Sequence, residues 1–139
     1  MRYKFNIPHH IKDWCEWQLK YYRESKMQLE QLRNDMIPSP VPKYSETIGG
    51  SEVSRNTEDV AMKIMSSPYI RQLEITVEGI TRALDNLDDI DILLINYIYW
   101  RKEYTVEGAA LKANLSRSAA YKRINKILGL IAYELGLIE

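Results

Sequence analysis

Between Arg101 and Lys126 the chain carries seven basic residues and two acids. The bases are Arg101, Lys102, Lys112, Arg117, Lys122, Arg123 and Lys126, and the acids are Glu103 and Glu107. This gives the segment a charge of +5 and leaves −5 on the remainder of a chain whose net charge is zero. Cations gathered in one stretch of an otherwise acidic chain are the footprint of a polyanionic partner, and a phosphate backbone suits them. The acidic remainder opposes indiscriminate binding.

The residues between these cations have a specific spacing. In TVEGAALKANLSRSAAYKRINKI, Ala109, Ala110 and Ala113 fall on one face of a short helix. Asn114 stands where a tight turn needs a residue tolerant of left-handed backbone, Leu115 plugs the corner, and Ser116 caps the next helix. Small residues at Ala109, Ala110, Ala119 and Ala120 let two helices cross closely. This is the pattern of a helix-turn-helix that lays its second helix in the major groove of double-stranded DNA.

With Ala120, Ile124 and Ile127 turned to the core, Ser118, Lys122 and Asn125 point outward, and Arg117 and Tyr121 flank them. Arg117 can reach a phosphate or pair bidentately with guanine, and Ser118 can bond a phosphate or a base. Tyr121 offers a ring to a thymine methyl and a hydroxyl to a phosphate. Lys122 lies mid-face as a groove residue, and Asn125 suits adenine. Arg123 and Lys126 are expected to hold the DNA backbone. Ser116, Lys112 and Thr105 complete the set assigned to the interface.

These residues need helices to carry them. The predicted fold is all-α: a long N-terminal helix and helical hairpin, then the C-terminal helix-turn-helix. Residues 1–87 form a coiled-coil-like helical region with a long loop at 37–56, and residues 88–139 the DNA-binding domain. The first helix starts near Pro8 and runs to about Met36, stopping at the proline cluster Pro38, Pro40 and Pro42. A second reads from Thr57, with Glu58 and Asp59 in its first turn, and Ser67-Pro68 re-caps or kinks it. Ile70, Leu73, Val77, Ile80, Leu84 and Leu87 then form a seam of about two and a half heptads, expected to pack on the first helix within the chain. Asp88 caps a third helix, with Ile90, Leu93, Leu94, Tyr97, Ile98 and Trp100 as its apolar residues. Thr105 caps a fourth, with Glu107 in its first turn. The fifth runs from Arg117 to about Leu135, burying Ala120, Ile124, Ile127, Leu128, Ile131 and Leu135.

Other chemistry is poorly supported. The single cysteine, Cys15, permits no internal disulfide and suits a reducing cytoplasm. The N-terminus has no apolar signal-peptide core, and no apolar run is long enough to span a bilayer, so no membrane partner is expected. Adjacent His9 and His10 cannot share a helix face, so with Cys15 they make no metal site. Trp14, Trp17, Tyr21 and Tyr22 read as a packing surface. Ile48-Gly49-Gly50-Ser51 is too short for a phosphate loop and reads as a turn. Asp85, Asp88, Asp89 and Asp91 lack calcium-loop spacing, and helix capping accounts for Asp88 and Asp91. No nucleophile–base pair or catalytic carboxylate pair stands out, so no enzyme, metal or cofactor is expected.

LSRSAAYKRI resembles the turn and recognition helix of sigma-factor region 4. LEQLR in the first helix, IGGS in the long loop, YIRQLEITVEGI, and a YW ahead of the helix-turn-helix occur in that order. Together they resemble the RinA-like phage late transcriptional activators, over the chain from about Leu29 to the C-terminus. The resemblance implies a sequence-specific activator of phage late operons for packaging and morphogenesis, without enzymatic activity. It carries DNA reading to Arg117, Ser118, Tyr121 and Lys122. Such helices commonly hold a bulkier residue where this chain has Ala120. The sigma likeness suggests contact with host RNA polymerase, and a single helix-turn-helix needs that contact or a homodimer to reach useful affinity. Two alternatives use the same elements. One is a DNA-packaging protein resembling a phage small terminase subunit, and the other is a helical adaptor that binds polymerase through its aromatic helix.

Overall fold

The computed structural model describes residues 6–36 and 67–139. The loop at 37–56, its Gly49-Gly50 turn and the helix expected from Thr57 lie outside the described residues. Among the described residues there are six α-helices, one π-helical turn and no strand. They are α1 (His9–Lys20), α2 (Tyr22–Met36), α3 (Pro68–Asp85), α4 (Asp89–Ile95), a π turn (Asn96–Trp100), α5 (Val106–Lys112) and α6 (Arg117–Glu134). No helix among them is long and apolar enough to cross a membrane.

The expected single helix over Pro8–Met36 is in fact interrupted at Tyr21, between α1 and α2. Trp100 supplies the reason. Its indole Nε1–H donates to the Leu19 carbonyl at 3.1 Å, a partner that an unbroken helix would reserve for its own backbone. Trp100 also stacks on Tyr22, with ring centroids 6.2 Å apart. A residue 81 positions away in sequence therefore sets the bend.

The seam of α3 is intramolecular. Ile70, Val77, Ile80 and Ala83 are buried, Leu73, Leu84 and Leu87 half-buried, and α3 packs on both α2 and α6. Burial of each such large apolar side chain contributes about 1.5–3 kcal/mol. Tyr22 anchors α2 to α3 by donating its hydroxyl to Thr81 Oγ1 at 2.6 Å, because Thr81 gives its own proton to the Val77 carbonyl. Gly79 lets α3 approach the end of α6, since a Cβ there would stand 2.5 Å from Leu135 Cδ2.

α6 is the centre of the molecule and packs on α1, α3, α4 and α5. Its Ile124, Ile127, Leu128 and Ile131 join Cys15, Leu19, Ile80 and Ile95 in one core, which spans both sides of the chain turn at residues 87 and 88. Gly129 is buried within α6 and does not break it.

Of the apolar residues expected inward on α4 and the π turn, Leu94 is buried and Ile98 and Trp100 pack against the core, but the start of the helix differs. Ile90 is exposed, while Asp91, Leu94 and Ile95 are buried. The inward face therefore starts on the Asp91 carboxylate in place of Ile90. After Ile95 the wider π turn closes with Arg101 N–H donating to the Asn96 carbonyl at 2.8 Å. It turns Tyr99 into the core. The turn ends on Lys102 at φ +56, a left-handed backbone that a non-glycine residue adopts at some cost.

Candidate nucleic-acid interface

The connection between α5 and α6 is built from four backbone decisions. Thr105 Oγ1 accepts from Gly108 N–H at 3.2 Å and starts α5. Asn114 takes φ +57 immediately beyond the end of α5. Leu115 N–H then donates back to the Ala110 carbonyl at 2.8 Å, and Asn114 N–H to the Leu111 carbonyl at 3.3 Å. These two bonds are the Schellman closure of a helix end, with asparagine in place of glycine. Ser116 Oγ accepts from Ala119 N–H at 3.1 Å and starts α6. Buried Ala109, Ala110 and Ala120 keep the two helices close, and Leu115 is half-buried at the corner. Thr105 and Ser116 thus act through their hydroxyls as caps, and the backbone they position carries the outward side chains.

On α6, Ser118, Lys122 and Asn125 lie exposed along the middle of the outer face. Lys122 forms no ion pair among the described residues. Arg117 and Tyr121 form the flank toward α5. Both meet Glu107: Arg117 Nε lies 3.3 Å from its Oε1, and the Tyr121 hydroxyl donates to the same oxygen at 2.9 Å. The Arg117 guanidinium also sits over the Tyr121 ring, 5.6 Å from its centroid. Glu107's own backbone N–H, then the Tyr121 hydroxyl, then Arg117, hold its carboxyl below the ordinary value. Lys112 stands apart from this flank, 5.8 Å over the Tyr104 ring.

Arg123 and Lys126, expected to hold the DNA backbone, form the opposite flank and turn toward α4. Arg123 Nη1 lies 2.9 Å from Asp88 Oδ2 and 3.0 Å from Asp91 Oδ1, and Lys126 Nζ lies 2.5 Å from Asp91 Oδ2. The Asp91 side chain is 0% exposed, and the two cations keep its charge compensated. Asp88 does two tasks, because its Oδ1 also accepts from Asp91 N–H at 2.8 Å and caps α4. That N–H first, and Arg123 second, pull the Asp88 carboxyl below the ordinary value. The side-chain bond to Asp88 raises Arg123 in turn.

Sequence reasoning missed Glu107, Asp88 and Asp91 as partners of the α6 cations. A signal was available for two of them. Asp88 and Asp91 are spaced i, i+3, as are Arg123 and Lys126, so each pair lines one helix face and the two faces match in charge. Glu107 had no such signal, since its place in a first helical turn already accounts for an acid. Arg101 pairs with Glu103 at 3.8 Å. Most of the positive charge counted along 101–126 is therefore matched locally, and Lys122 is the cation left on the centre of the outer face.

Elsewhere the reactive groups are quiet. Burial first, and Glu16 second, push the Cys15 thiol up to about 11, which makes it a poor nucleophile. His9 pairs with Asp13 at 3.3 Å on an exposed face. No group of three or more metal-ligating side chains occurs among the described residues. The aromatic cluster of the first helix divides: Tyr22 is buried, Trp14 packs against the core and Trp17 is exposed. Comparison with family models, curated proteins and solved structures finds no match.

Proposed function

We propose that this protein binds double-stranded DNA through α5 and α6, used as a helix-turn-helix with α6 in the major groove. The observation that carries the reading is the outer face of α6. Ser118, Lys122 and Asn125 stand in a row on a helix whose start is fixed by Ser116 and whose inner face is fixed by the core. A base-reading helix needs polar side chains of this reach on a rigid support. Lys122 and Asn125 are the base-edge candidates, Ser118 and Arg117 approach the backbone, and Arg123 and Lys126 brace the helix against α4.

The resemblance to RinA-like phage late activators extends this to a regulator of phage late genes. It would work beside host RNA polymerase or as a homodimer, because one helix-turn-helix offers a small interface. Selection from a pool of random duplexes, followed by sequencing, tests the reading. Enrichment of one sequence motif is expected, with Lys122→Ala weakening the selected site about tenfold and helicity unchanged. Duplex binding without enrichment would favour a DNA-packaging role, and retention of full affinity by Lys122→Ala would remove α6 from the groove.

A further inference from the structure

We infer that Glu107 is a built-in competitor for DNA: in the free protein its carboxylate occupies the place of a DNA phosphate on Arg117 and Tyr121. This rests on the helix-turn-helix reading and adds to it an intramolecular competitor for the backbone.

The geometry is that of a phosphate cradle already filled. A guanidinium nitrogen and a phenol hydroxyl converge on one carboxylate oxygen, at 3.3 and 2.9 Å. Both donors belong to the first two turns of α6, beside the groove face, where they would reach a backbone oxygen. The cradle is open to solvent, with Arg117 73% and Glu107 47% exposed, so an incoming anion can exchange with the carboxylate. α5 fixes Glu107 in place, since the Thr105 cap and the Schellman closure at Asn114 hold both ends of that helix.

The consequence is a threshold for binding. A duplex that offers only phosphates must displace Glu107 or tolerate its negative charge, and it gains no base-edge contact from the outer row, at Lys122 or Asn125, in return. A duplex whose base edges fit that row gains those contacts as well. Glu107 therefore weakens every complex by a similar factor, and only a duplex whose base-edge contacts offset that cost binds tightly.

Glu107→Gln tests this, because it removes the charge and keeps the side chain's size. Binding is measured with the selected duplex and with a random-sequence duplex, at 50 and 200 mM salt. The variant is expected to bind both duplexes severalfold more tightly at 50 mM salt, with the ratio between them little changed. Freeing one cation for a phosphate should steepen the salt dependence by about one phosphate's worth, so random-duplex affinity falls roughly 3.5-fold more than wild type between the two salts. In an Arg117→Gln background the same substitution should have little effect. Unchanged or weaker random binding by Glu107→Gln, with wild type binding DNA, overturns the inference alone. A wild-type chain that binds neither duplex overturns the helix-turn-helix reading along with it.

Discussion

The two flanks of α6 use the same chemistry in different surroundings. Toward α4, Asp91 holds Arg123 and Lys126 from a position that water does not reach. Toward α5, Glu107 holds Arg117 and Tyr121 in the open. A buried carboxylate loses its solvation and depends on its cations, whereas an exposed one keeps water as an alternative. The buried flank is consequently structural and fixes the rotation of α6 about its axis. The exposed flank is exchangeable, because water can take the place of the carboxylate on its donors. Counting charge along the sequence treats the two alike, and solvent access separates them.

Asp91→Ala breaks the buried flank and should have the largest effect on stability. It leaves Lys126 without its carboxylate and Arg123 with Asp88 alone at the α4–α6 contact. Removing one partner of a buried pair costs about 3–5 kcal/mol. Arg123 and Lys126 retain 27% and 31% exposure and can turn partly to water, so the lower end of that range, about 3 kcal/mol, is expected. Chemical denaturation checks it through a lowered midpoint at unchanged slope. A loss no larger than that of Glu107→Gln would abolish the distinction between the flanks.

The next largest effect comes from the turn. The Glu107 flank exists only because the turn delivers α5 to α6, while the Asp91 flank arises from α4. Asn114→Val places a β-branched residue at φ +57 and should cost about 1–2 kcal/mol. Asn114→Gly should be close to neutral, because glycine adopts this conformation freely. Amide hydrogen exchange on Asn114→Val should show faster exchange in α5 with α4 unchanged. Equal loosening of both helices would mean that the flanks are not independent.

How far the sequence reveals this molecule follows the range of the interactions. The caps at Thr105, Asp88 and Ser116, the left-handed Asn114 and the buried stripe of α3 are local features, and each was legible from residues within a few positions. The break at Tyr21 was hidden, because its cause is the Trp100 indole acting across the fold on the Leu19 carbonyl. The burial of Asp91 at the start of α4 was missed for a related reason. An aspartate in a first helical turn is ordinarily solvated, and only the approach of Arg123 and Lys126 allows Asp91 to be buried. Thr105 through Lys126 has its turn written locally, but the partners of its cations come from α4 and from the start of α5.

Asp88→Asn makes the finest test, because it sits at the rim of the buried flank and joins both kinds of behaviour. Its side chain is 55% exposed, although it binds the same Arg123 as Asp91. Asparagine can still accept from Asp91 N–H, so the α4 cap survives and only the charge facing Arg123 is lost. Solvent screens that charge, and the cost at pH 7 should stay below about 1 kcal/mol. The sign of the pH dependence follows from the depressed carboxyl of Asp88. A carboxyl lowered by folding stabilises the native state above its unfolded value, near 3.9, and that contribution is lost as pH falls through the lower folded value. Wild type and Asp88→Asn should therefore differ at pH 7 and converge as the pH drops below about 4. Urea denaturation of both proteins at pH 7 and pH 3 measures the gap. If it persists undiminished at pH 3, the loss lies in the cap and the charge of Asp88 contributes nothing to the flank.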